Sequence, residues 1–114
     1  MNFMDLTQYY NQLDLITETS LQIIKDFQLA GIKISFSKDT TNPYQELFDS
    51  IIPHITTLLE RKELNKLLYR IDISERQIFK LIQNDKNNIP EAITHLIIRR
   101  ELQKVVIRNY HKKK

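Results

Sequence analysis

From Ile89 to Tyr110 the chain reads as one long helix that carries apolar residues on more than one side, and this run most restricts what the chain can fold into. At about 100° per residue, Ile89, Ala92, Ile93, Leu96 and Ile97 share one face. Ile98, Leu102, Val105 and Val106 fall on nearly the opposite face, at the spacing of an apolar stripe. A helix apolar on two sides needs partners on two sides. It is therefore expected between other helices, or between its own bundle and a second copy of the chain.

The remaining sequence supplies further helices and little else. A single glycine and three prolines in 114 residues leave scant turn chemistry for a many-stranded sheet. The fold class expected is mainly α, a small bundle of four to five helices in one domain spanning 1–114, with the basic tail 111–114 expected to be disordered. An apolar content of 41% is enough for a core and argues against a disordered chain. No apolar run approaches the roughly 18 residues of a membrane span, and the N-terminal residues lack the basic and apolar regions of a signal peptide. A cytoplasmic protein without a membrane role is expected. The absence of cysteine rules out disulfides, thiolate metal sites and cysteine nucleophiles.

Periodicity places the elements. A first helix is expected from Asp5 to Ala30, with Gly31 as its left-handed cap and Leu6, Tyr9, Leu13, Ile16, Ser20, Ile23, Phe27 and Ala30 along a seam. Leu21 and Ile24 widen that seam. Residues Ile32 to Ser37 alternate apolar and polar, which predicts a short strand or an extended packed segment; a second alternation over Tyr69, Ile71 and Ile73 suggests a strand partner. Asn42-Pro43 starts a helix whose interior holds Pro53, so a kink or break is expected near residues 50–52. Ser74-Glu75-Arg76-Gln77 has the form of a capping box for a helix from Glu75 to about Asn84, with Ile78, Phe79, Leu81 and Ile82 inward. Leu13, Ile16, Ile23, Phe27, Phe48, Ile55, Ile93, Leu96 and Ile97 lie at the centres of their stripes and form the expected core.

Catalytic chemistry finds no support in the residues. One glycine cannot build a phosphate-cradling loop or a dinucleotide fingerprint. His54, His95 and His111 show no metal-ligand spacing, and Glu91 and His95, four apart, suggest a hydrogen-bonded surface pair. No catalytic, cofactor or metal residue is assigned, and a non-catalytic protein is expected.

Charge is distributed unevenly. Residues 1–60 carry net −5 and residues 61–114 net +8. Arg100, Lys104, Arg108 and His111 follow one another along the last helix, and such a face can attract phosphate or an acidic partner. The same cations also suit the negative end of a helix dipole.

The run Leu64-Asn65-Lys66-Leu67-Leu68-Tyr69-Arg70-Ile71-Asp72-Ile73-Ser74-Glu75-Arg76-Gln77-Ile78-Phe79-Lys80-Leu81-Ile82 resembles the helix-turn-helix of bacterial regulators. That resemblance implies that Arg76, Gln77 and Lys80, behind Glu75, face nucleic acid. Ile71-Asp72 stands where the motif usually has a small residue or glycine. Two functions follow as expectations. The first is a protein-interaction module forming a homodimer through Ile98, Leu102, Val105 and Val106. The alternative is a nucleic-acid-binding protein using Arg76, Gln77 and Lys80 with Arg100, Lys104 and Arg108.

Overall fold

The computed structural model describes residues 6–10, 12–36, 41–84 and 86–112. A short 3-10 turn, Thr7–Tyr9, precedes five helices: α1 (Leu13–Leu29), α2 (Pro43–Arg61), α3 (Leu64–Ile71), α4 (Glu75–Asn84) and α5 (Ile89–Lys112). The fold is a small helical bundle, and no strand occurs among the described residues.

α5 is the central element, with α1, α2, α3 and α4 all packed against it. Ile93, Ile97, Ile98, Leu102 and Val105 are fully buried along it, with Thr94 and Glu101 between them. These positions sweep about half of the helix circumference, so its two apolar faces meet in one broad buried surface. α1 contributes Ile16, Ile23 and Phe27, α2 contributes Leu47, Ile51 and Ile55, and α3 contributes Leu67 and Ile71.

The expectation that Ile98, Leu102, Val105 and Val106 border a subunit contact is therefore corrected. Ile98, Leu102 and Val105 are wholly inside the chain's own core, and Val106 is half-buried. Among the expected core residues Leu13 is exposed, while Phe48 and Leu96 are half-buried. Leu13 begins α1, whereas Tyr9 ends the separate 3-10 turn, so the seam drawn through Leu6, Tyr9 and Leu13 does not lie on one continuous helix. Asp5, the expected start, lies outside the described residues.

Helix ends explain the other differences. After α1, the Ile32 amide donates to the Phe27 carbonyl at 2.8 Å and the Gly31 amide to Gln28 at 3.0 Å, with Gly31 at φ +85°. This is a Schellman motif, as a glycine after a periodic run suggests. The same pair of bonds ends α2, from Glu63 to Leu58 and from Lys62 to Leu59, and ends α3, from Ile73 to Leu68 and from Asp72 to Tyr69. Lys62 and Asp72 stand at φ +58° and +70° in the place glycine takes at Gly31. These two left-handed residues stop α2 short of Leu64 and end α3 at Ile71, where alternation had suggested a strand.

α2 runs unbroken through Pro53, which is exposed. Residues 32–36 form an extended packed segment with Ile34 buried and Lys33 and Ser35 exposed; Ser37 lies outside the described residues. The capping box before α4 is formed: the Gln77 amide donates to Ser74 Oγ at 3.2 Å, and the Ser74 amide donates to Gln77 Oε1 at 3.0 Å. Phe79 points outward rather than inward. α5 continues through His111 and Lys112, where a disordered tail was expected, and residues 113–114 lie outside the described residues.

Two outcomes follow for stability. Gly31→Ala should destabilise by about 1 kcal/mol, whereas Lys62→Gly should stabilise by up to about 1 kcal/mol, because only the second relieves a side chain of the left-handed region. Paired chemical denaturation curves with opposite signs are the expected result. Leu102→Asp buries an unpaired charge and should cost about 4 kcal/mol or more, so loss of the cooperative thermal transition is expected instead of a folded monomer.

Candidate interaction surfaces

The basic face of the last helix is not an open surface. On α1, Glu18, Gln22 and Asp26 follow at four-residue spacing, which puts them on one side of the helix. They meet a matching row on α5. Arg108 Nη2 donates to Glu18 Oε2 at 3.0 Å, and its Nη1 donates to Gln22 Oε1 at 3.2 Å. Gln22 Nε2 donates in turn to Asp26 Oδ2 at 3.2 Å, and Lys104 Nζ lies 3.5 Å from the same oxygen. Arg100 pairs with Asp72 at 3.1 Å, tying α5 to the end of α3. All three expected anion contacts of α5 are thus engaged by carboxylates of the same chain.

At the buried end of this seam, Lys104 Nζ lies 2.8 Å from Glu101 Oε1. The Glu101 side chain is 0% exposed, and neither of its oxygens meets a well-angled hydrogen-bond donor among the described residues. One ammonium thus faces two carboxyls, those of Glu101 and Asp26. Burial, followed by hydrogen bonding to Asp26, outweighs the attraction of Lys104 and pushes the Glu101 carboxyl up to about 8. Glu101 is accordingly a proton-holding group of the core, and its burial keeps it from any solute.

A second cluster joins the other helices. The Tyr10 ring stacks on Tyr44 with centroids 4.2 Å apart, and His95 lies against Phe48 at 4.5 Å. Tyr44 Oη and His95 Nδ1 are 2.8 Å apart. Burial, then the nearby Arg99 charge, lowers the His95 pKa, and burial raises that of Tyr44. The two are hydrogen-bonded, and the tautomer of the imidazole sets which of them donates. His95 takes Tyr44 as its partner in place of the expected Glu91. Among the described residues no group of three or more His, Asp or Glu side chains is placed to hold a metal.

Of the remaining sequence-derived candidates, Arg76 and Lys80 are exposed on α4. Gln77 spends its side-chain oxygen on the cap of its own helix. The helix, turn and helix of residues 64–84 are present in order, with Asp72 in the left-handed conformation at the turn. α4 packs on α5.

Two surfaces escaped the sequence reading. Leu13, Leu21 and Leu29 on α1 are 51%, 58% and 53% exposed. Leu13 and Leu21 line a groove of about 60 Å³ with Ile24 and Phe36. The signal was present in Leu21 and Ile24, which lie beyond the seam assigned to α1. The second surface is a cleft of about 620 Å³ bordered by Leu29, α3 and the start of α4. Its Tyr69 is 85% exposed. Lys66, Tyr69 and Arg70 stand three and four apart, a spacing that gathers them on one helical face.

Among the described residues, no helix is long and apolar enough to cross a membrane. Comparison with known protein families, with curated proteins and with solved structures finds no match to this chain.

The Glu101 geometry sets a pH dependence. Its folded pKa lies above the ordinary carboxyl value of 4.5, so its contribution to stability is full below that value and is lost as pH rises toward about 8. The slope approaches about 1.4 kcal/mol per pH unit. Glu101→Gln, which stays neutral, should remove that slope and gain on the wild type as pH rises. Denaturation midpoints measured across this range check it, and parallel curves for the two proteins would contradict the assignment.

Proposed function

We propose that the chain is a small, non-catalytic helical interaction module that pairs with a second copy of itself through the outer ridge of α1. The observation that carries this reading is the row of half-exposed leucines at 13, 21 and 29. With Thr17 and Lys25 between them, they form an unbroken i, i+4 ridge about 24 Å long. Ridges of this kind on two helices interdigitate at a crossing angle of about −50°.

Equal spacing makes the row self-complementary. A twofold axis through Leu21 sets Leu21 against its own counterpart, with Leu13 and Leu29, turned about 80° to either side of it, at the flanks of the contact. The same operation brings Lys25 of each copy beside Thr17 and Glu18 of the other, so the charges that border the ridge are opposite in sign. Ile24 and Phe36, which share the neighbouring groove with Leu13 and Leu21, extend the apolar area. A strip of this length is small against the roughly 1,200–2,000 Å² buried by stable complexes, so the dimer is of the weak, concentration-dependent class.

Sedimentation equilibrium over a range of concentrations should show mass rising from monomer toward dimer. Leu21→Asp should hold the chain monomeric with its circular dichroism unchanged, since the side chain is 58% exposed. A wild-type chain that stays monomeric throughout, or a Leu21→Asp chain that still dimerises, would defeat the proposal.

A further inference from the structure

The cleft beside α3 combines three features that the α5 face lacks. Its cations are unspent: among the described residues no ion pair or hydrogen bond takes up Lys66 or Arg70, while Arg100, Lys104 and Arg108 are all held by carboxylates. An aromatic ring stands beside them on the same helical face, with Tyr69 85% exposed. The space they border, about 620 Å³ with Leu29, Ser74 and Glu75 on its rim, is open to solvent.

We propose that this cleft binds single-stranded nucleic acid, with Tyr69 stacking on an unpaired base and Lys66 and Arg70 holding the adjoining phosphates. An exposed ring flanked by cations at i−3 and i+1 matches what a single strand presents, bases with free faces joined by regularly spaced negative charges. A duplex keeps its base faces stacked inside and gives such a ring nothing to cover. The surroundings agree in sign. Between residues 61 and 84 six Lys or Arg stand against three Asp or Glu. One of those acids, Asp72, is neutralised by Arg100. Glu75 is in the first turn of α4, where the helix dipole compensates its charge. It still disfavours phosphate on its side of the cleft, so the backbone runs along Lys66 and Arg70 with the base turned toward Tyr69. Arg76 and Lys80, exposed on α4 and also unpaired, extend the positive track beyond the cleft. Binding here does not require the leucine ridge, and its test reads ligand affinity rather than oligomeric state.

Fluorescence anisotropy of labelled oligothymidylate, oligouridylate and a duplex of equal length, each titrated at several salt concentrations, tests the proposal. Either single strand should bind more tightly than the duplex, and the ratio of the two distinguishes DNA from RNA as the source of the strand. Tyr69→Ala should weaken binding about tenfold with little change in salt dependence, and Tyr69→Phe, which keeps the ring, should retain the affinity. Lys66→Glu with Arg70→Glu should flatten the plot of log affinity against log salt by about 0.7 for each phosphate that the pair no longer neutralises. No binding of either single strand at low salt, equal or better binding of the duplex, or an unchanged affinity in Tyr69→Ala overturns it.

Discussion

Everything else in the structure is arranged around the burial of α5. An ordinary surface helix covers one apolar stripe and leaves the rest to water. α5 hides about half its girth, which no single neighbour covers. α1 and α2 provide most of the cover, and α3 and α4 close the remainder. Extending an apolar helix to a second side therefore demands more helices within the chain, and the 114 residues supply them without help from a second copy.

The uneven charge along the sequence has its explanation in the same packing. The acidic half supplies Glu18 and Asp26 and the basic half supplies Lys104 and Arg108, so folding brings the two halves together with opposite signs in contact. The exposed Arg108–Glu18 pair adds little stability in water. Asp26, Glu101 and Lys104 matter differently. They lie buried or half-buried in the contact between α1 and α5, and a slip of one helical turn would leave an acid or an ammonium without its partner, at several kcal/mol. The seam thus penalises wrong registers more than it rewards the right one. It also accounts for cations that look free in the sequence and are spent in the fold.

What was legible in the sequence follows from how local each cause is. The helical class, the capping box at Ser74 and Gln77, and the cap at Gly31 each depend on residues within one or two turns, and all three are present. The ends of α2 and α3 were not legible, because Lys62 adopts a left-handed conformation that lysine does not favour and Asp72 one that aspartate takes at only a minority of sites. Apolar periodicity located the face of α5 that holds Ile98 and Leu102 but could not say which neighbour covers it. That depends on contacts with α1, many residues away in the chain. The partner of His95 was missed for the same reason, since Tyr44 is 51 residues distant. Of the exposed leucines of α1, Leu13 was read as core because the seam was drawn through it as though one helix ran from Asp5, whereas Leu21 and Leu29 lie off that seam.

The outward-facing residues then separate by chemistry. On α1 the exposed large side chains are aliphatic, and an aliphatic ridge offers a partner only area and shape. On α3 the exposed large side chain is a tyrosine beside two unspent cations, which offers a π-face and charge and suits a polyanion with planar groups. Leu29 belongs to both surfaces, as the last member of the leucine row and as a wall of the cleft.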